Sequence, residues 1–216
     1  NAADHITTAI RHGFAYAVVD APVLIADGLS GNSYGDVDIP GKHFKSVRIA
    51  RDILDAQAMV VLTHVKGHAL AGFGGAIKNL AMGCASPLGK RDQHQGMQAE
   101  VNESECIGCG YCVTQCPFGA IHIGKKAVVD KSICYGCSAC LQVCPEQAIS
   151  FNWERDVPRF LERMAEYALG AVAGKSGKVL YVSFLTNITP DCDCVPWSDS
   201  PIVPDIGFLA SDDPVA

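Results

Sequence analysis

The chain has 216 residues, 49% of them apolar and 19% charged, so a folded core is within reach and global disorder is excluded on composition. Its formal net charge is −6, and the excess lies wholly beyond Lys178, on Asp191, Asp193, Asp199, Asp205, Asp212 and Asp213. There is no basic stripe of the kind that binds nucleic acid, and no run of about 18 apolar residues that would make a transmembrane helix.

In chain order, "DHITTAIRHGF" predicts an amphipathic helix, with Ile6, Ile10 and Phe14 four residues apart. "APVLIADG" predicts a buried strand closed by glycine, and "FKSVRIARDILDA" a helix. "AMVVLTHV", residues 58–65, is an apolar run of strand length, and "GHALAGFGGAIKNLAMG" gives a glycine-rich turn and a short helix. The chain starts at Asn1 and stops within what reads as an interrupted element, so a fragment or an incompletely ordered protein is expected.

Next come "CIGCGYCVTQCP" at 106–117 and "CYGCSACLQVCP" at 134–145, both spaced C-x2-C-x2-C-x3-C-P and offset by 28 residues. The likeness continues, since "CPFGAIHI" aligns with "CPEQAISF" and matches Ala120 to Ala148 and Ile121 to Ile149. Short spacers let successive sulfurs point inward around one inorganic cube, whereas a zinc site takes its ligands in two pairs. Gly108 and Gly136 suit loops where backbone passes close to inorganic sulfur, and Pro117 and Pro145 suit the start of a short helix or turn. Of the 11 cysteines, these motifs use eight and leave Cys84, Cys192 and Cys194. An odd count makes a poor disulfide framework, so metal ligation in a reducing compartment, hence a cytoplasmic protein, is expected.

Beyond the motifs, "DVPRFLERMAEYALGAV" predicts a helix capped by Asp156, with an apolar face of Phe160, Leu161, Met164, Ala165, Ala168 and Leu169. "KVLYVSFL" reads as a second buried strand and "DIGFLAS" as a last short one. Alternating strands and helices predict an α/β fold (α+β overall) with a mostly parallel or mixed sheet, in two parts at 1–97 and 153–216, interrupted by a module at 98–152.

Two further patterns carry chemistry. His64, Lys66 and His68 alternate at a predicted strand end, where open α/β sheets gather ligands. Beside them Gly72, Gly74 and Gly75 would let backbone N–H groups approach an anion, with Lys78 adding charge. This is neither a Walker loop nor a dinucleotide fingerprint, and a tight packing turn with exposed histidines is the plainer alternative. In "DCDC", 191–194, Cys192 and Cys194 share one face of an extended segment. They would be neutral packed thiols beside Asp191 and Asp193, or ligands of a third metal with Cys84.

Residues 98–152 resemble the bacterial two-cluster ferredoxins. That resemblance implies two [4Fe-4S] clusters with crossed ligands: Cys106, Cys109, Cys112 and Cys144 on one, and Cys134, Cys137, Cys140 and Cys116 on the other. With "THVKGHALAGFGGAIKNLAMG" and "DCDCVPWSDSPIVPDIGFLASDDPVA", the whole resembles an iron–sulfur family catalogued as domain of unknown function 362, whose reaction is not settled. The expected function is electron transfer between a redox partner or reductant and the α/β domain. The alternatives are a redox enzyme or cofactor-handling protein with its site at His64, Lys66, His68 and the glycine-rich loop, where a small anion would bind, or clusters that only staple the fold.

Overall fold

The structure, a computed structural model, describes residues 2–68, 70–192 and 200–215. Its elements begin with α1 (Ala2–Arg11), α2 (Tyr16–Val19), β1 (Tyr34–Asp38), β2 (Ser46–Ala50), α3 (Arg51–Asp55), β3 (Met59–His64), β4 (Lys66–His68), β5 (Gly72–Gly74), α4 (Ala76–Gly83) and α5 (Pro87–His94). There follow β6 (Glu100–Val101), α6 (Tyr111–Gln115), β7 (Ile121–Ile123), β8 (Ala127–Val129), α7 (Ala139–Gln142), β9 (Ile149–Ser150), α8 (Trp153–Ala171), β10 (Val179–Leu185) and β11 (Gly207–Ser211). The fold is α/β. It divides into two compact units, Asn1–Lys90 with Arg163–Ala216, and Arg91–Glu162.

The discontinuous unit holds a three-stranded sheet in the order β11-β10-β3. β3 and β10 run parallel, with Met59 beside Val179 and His64 beside Phe184, and β11 pairs antiparallel with β10. The sheet is therefore mixed, and β3–β10 is its one parallel pair among the described strands. The apolar runs predict strands buried throughout, but the structure buries alternate residues. Val61, Thr63 and Tyr181 are buried, while Val60, Leu62, Leu180, Phe184 and Phe208 are exposed.

Three local expectations are corrected. Residues 21–28 form bends and turns instead of a strand, with a Gly28 N–H to Ile25 O bond and Leu24 exposed. Four apolar residues between Pro22 and the Asp27-Gly28 turn are too few to hold a ladder without a partner strand. Residues 44–56 are not one helix: Ser46–Ala50 is a strand and only Arg51–Asp55 is helical. Val47 and Ile49 are β-branched, alternate, and are fully buried in the pairing with β1, so tertiary pairing overrides the helical pattern. Helix α8 starts at Trp153, and its first turn is capped by Asn152, whose Oδ1 accepts from Arg155 N–H at 3.0 Å. Asp156 lies inside the helix, buried, and pairs with the Arg155 guanidinium at 2.7 Å.

The face of α8 also differs from its expected composition. Phe160, Met164, Tyr167, Ala168 and Ala171 are buried, while Leu161 and Leu169 are exposed. Within the discontinuous unit Tyr167 packs edge-on against Phe44, ring centroids 5.3 Å apart. Gly170 lies so close to β2 that an added Cβ would overlap Val47 Cγ2. One turn earlier, the Glu166 carboxylate accepts the backbone N–H groups of Lys42 (2.8 Å), His43 (2.9 Å) and Phe44 (2.9 Å). The 41–44 loop is thus folded around a carboxylate.

In the unit Arg91–Glu162 the sequence repeat becomes a structural one. Asn102 Oδ1 accepts from Ser104 N–H, and Asp130 Oδ1 from Ser132 N–H, 28 residues on. Asn102 N–H donates to Ala148 O at 2.7 Å, and Asp130 N–H to Ala120 O at 2.7 Å, so each repeat begins where the other ends. Left-handed backbone recurs in step. Gly110 (φ 82) matches Ser138 (φ 65), and Gly119 (φ 64) matches Gln147 (φ 50). The second copy thus holds ordinary side chains where the first uses glycine, which stores backbone strain at both positions.

Candidate functional site

Two constellations stand out, one in each unit. In Arg91–Glu162, Cys106, Cys109, Cys112 and Cys144 line one small cavity, walled by Ile107, Ile123, Ala127 and Ile149. Cys144 belongs to the other repeat. Burial pushes the Cys112 thiol up, and nearby Cys109, Cys106 and Cys144 push the same way. Burial likewise raises Cys137, with nearby Cys116 and Cys134 pushing the same way, and raises Cys140 to about 12, with Cys137 and Cys134 adding to it. The structure thus brings Cys144 of the second motif into the cavity of Cys106, Cys109 and Cys112 of the first.

Backbone amides point at several of these sulfurs. Ala120 N–H donates to Cys116 Sγ at 3.3 Å, Ala148 N–H to Cys144 Sγ at 3.3 Å, and Ala127 N–H to Cys106 Sγ at 3.4 Å. The Ala127 amide is the main reason the Cys106 thiol is held below its ordinary value. Gly108 and Gly136 both have positive φ, 70° and 72°. A Cβ on Gly108 would sit 2.7 Å from Lys125 O, and one on Gly136 would overlap Met97 O, so both glycines are required by backbone contact. Among the described residues, no three His, Cys, Asp or Glu side chains converge as the ligands of a single ion would.

The second constellation is a pocket in the discontinuous unit, lined by Leu62, Thr63, His64, Lys66, Gly67, His68, Gly74, Gly75, Lys78, Asn79 and Cys192. It opens at the carboxyl end of β3, between the β4–β5 hairpin and the start of α4. His64 Nε2 lies 2.8 Å from Thr186 O, which only accepts, so Nε2 carries the proton. His64 Nδ1 is then the acceptor for the Lys66 ammonium at 3.0 Å. Lys66 is 8% exposed. His68 Nδ1 accepts from Leu70 N–H and Ala71 N–H, which fixes its proton on Nε2 as well. Lys78 Nζ donates to Cys192 Sγ at 3.5 Å.

Gly67 makes this arrangement possible. Its N–H donates to Thr189 O at 2.8 Å, and an added Cβ would lie 2.5 Å from the Pro190 carbonyl carbon. Segment 189–192 therefore rests directly on β4, and this brings Cys192 into the pocket.

A family model described as Domain of unknown function (DUF362) matches residues 1–216. The chain belongs to that family. No curated protein matches it.

Within this DUF362 chain, His64, Lys66, His68, Gly74, Gly75, Lys78 and Cys192 meet in one pocket, although the sequence treats them as two separate patterns. Gly72 stands apart at the hairpin turn, with φ 74 and open space around it. Cys84 does not line the pocket: it is the C-cap of α4, six residues beyond Lys78, or about 9 Å along the helix. Burial pushes the Cys84 thiol up to about 11. Cys194 and Asp193 lie outside the described residues.

Sequence reasoning misses Asn79, whose Nδ2 donates to Leu62 O and Thr63 Oγ1 at 2.9 Å each and ties α4 to the end of β3. It also misses Lys126, which donates to Cys106 O, and the Ala127 amide on Cys106. No spacing marks these three. Only the two-residue lag between Asn79 and Ile77 on an amphipathic helix hints that Asn79 leaves the apolar side. No helix among the described residues is long and apolar enough to cross a membrane.

Proposed function

We propose that this DUF362 protein is an iron–sulfur electron-transfer protein. Residues 98–152, within the unit Arg91–Glu162, form its ferredoxin-like module and carry two [4Fe-4S] clusters that serve the α/β unit. Cys106, Cys109, Cys112 and Cys144 hold one cluster, and Cys134, Cys137, Cys140 and Cys116 the other. The observation that carries this reading is Cys144 lining the cavity of the other repeat's three cysteines. Thiolates of a cube bind four different irons, so they stand further apart than the ligands of one ion, in keeping with cysteines that share a cavity without meeting at a point.

The residues fit the group. The wall around the first set is mostly apolar, with Glu146 its one charged residue among those described, and amides donate to Cys106, Cys116 and Cys144. Such N–H···S bonds favour the charged sulfur and raise a cluster's potential. The supplied chemistry is one-electron exchange, with a partner protein or reductant in a reducing compartment. Iron and acid-labile sulfide, assayed on anaerobically prepared protein, should both approach about eight per chain. Protein that folds with zinc and contains no sulfide after reconstitution would refute this.

A second reading, a redox enzyme or cofactor-handling protein, is favoured by the pocket at the end of β3. There His64, Lys66 and His68 face one cavity together with Lys78.

A further inference from the structure

We propose that the pocket at the end of β3 is a binding site for a small oxyanion, the phosphate or carboxylate group of a small molecule, with Lys66 and Lys78 as its two cationic anchors. The inference deepens the second reading above. It rests on the discontinuous unit alone, so it stands whether or not residues 91–162 carry clusters.

The cavity measures about 270 Å³, close to the lower end for small-molecule sites. Both lysines line it, and no Asp or Glu does among the described residues. Lys66 Nζ donates to His64 Nδ1, the accepting nitrogen of the fixed tautomer. His64 contributes a hydrogen bond there but no negative charge. Lys78 reaches in from the first turn of α4, where the N-cap is Gly75 and no side chain caps the helix. The first-turn amides and the helix dipole therefore add positive potential on the side where Lys78 stands. His68, held with its proton on Nε2, is a neutral lining group.

The site has a built-in reporter. Cys192 lies against Lys78 at the pocket wall, so an anion between the lysines shields its sulfur and competes for the Lys78 ammonium. The test uses the whole chain, prepared anaerobically. Calorimetric titration with inorganic phosphate forms one arm and titration with oxalate the other, at matched ionic strength. Alkylation of Cys192 by iodoacetamide is followed in parallel by peptide mass spectrometry.

At least one anion should bind saturably, and the arm that binds tighter identifies the class. Binding should weaken about tenfold or more in Lys78→Gln, and the bound anion should slow Cys192 alkylation. Lys66→Gln removes a buried group and risks misfolding, so the half-buried Lys78 is the deciding variant. The proposal is overturned if neither anion binds, if Lys78→Gln binds as tightly as the parent, or if the bound anion leaves Cys192 alkylation unchanged.

Discussion

Replacing Gly67 by Ala tests the contact that assembles the pocket. The new Cβ would stand 2.5 Å from the Pro190 carbonyl carbon and 2.8 Å from its Cα, and closer still to the oxygen. Real Cβ contacts essentially never fall below 3.0 Å. The obstacle is backbone, which cannot rotate away as a side-chain tip can. Segment 189–192 must therefore lift off β4, and the 2.8 Å Gly67 N–H to Thr189 O bond is lost. That bond is worth about 1 kcal/mol net, and overpacking of this kind costs about 1–3 kcal/mol. A destabilisation of about 2–4 kcal/mol is expected, read as a lower urea midpoint in far-UV circular dichroism. Lifting the segment also takes Cys192 from Lys78, so its alkylation rate should change in the folded variant. Gly72→Ala is the control. Its φ is 74 and its Cβ meets nothing, so it carries only left-handed backbone strain of about 1–2 kcal/mol. A Gly67→Ala protein as stable as the parent, or no less stable than Gly72→Ala, refutes the close approach.

Gly170→Ala should destabilise by about 1–2 kcal/mol although alanine is the better helix former by about 1 kcal/mol, because its methyl meets fully buried Val47; a gain in urea midpoint would contradict this. Glu166→Gln should cost about 1.5–3 kcal/mol, since a neutral amide replaces a carboxylate accepting three backbone N–H groups, and equal thermal midpoints would sink it. The Cys84 thiol is raised from 9.0 to about 11 by burial, so its contribution is whole below pH 9 and is lost as the pH rises through 11, about 3 kcal/mol in all. The parent's urea midpoint should therefore fall more steeply over pH 9–11 than that of Cys84→Ala, and parallel curves would exclude the effect. Cys116→Ser should halve the iron to about four per chain and expose Cys134 to alkylation while Cys106 stays protected; the reverse pattern would show uncrossed ligation.

The most legible part of the fold was the part whose signal is local. The 28-residue cysteine grammar, the Ala-Ile pairs and the Gly108 and Gly136 turns each reappear as geometry, because spacing and φ preference act within a few residues. Met59–His64 and Val179–Leu185 were readable as strands from their apolar runs, but their exposed face was not, since burial depends on what packs above a sheet. Ser46–Ala50 was misjudged because its strand state comes from Tyr34–Asp38 across the ladder. At the pocket, the His64, Lys66 and His68 alternation was visible, whereas the arrival of Cys192 depends on a contact between Gly67 and Pro190, more than a hundred residues apart. Asn152 won the cap from Asp156 because the helix could begin one turn earlier.

The reciprocal closure of the two repeats sets an order on their making. Chains emerge from the ribosome at about 5–20 residues per second. In the crossed ligation proposed above, Cys116 has already been made when Cys134, Cys137 and Cys140 appear, so the second set would be complete as soon as its own loop is out. On the same proposal Cys106, Cys109 and Cys112, made earlier, would find their fourth thiol only when Cys144 follows, about 2–6 s after Cys112 at that pace. The older loop is therefore the last to close. Through that interval its three sulfurs stand open on a nascent chain, and an oxidant present during translation would strike there first.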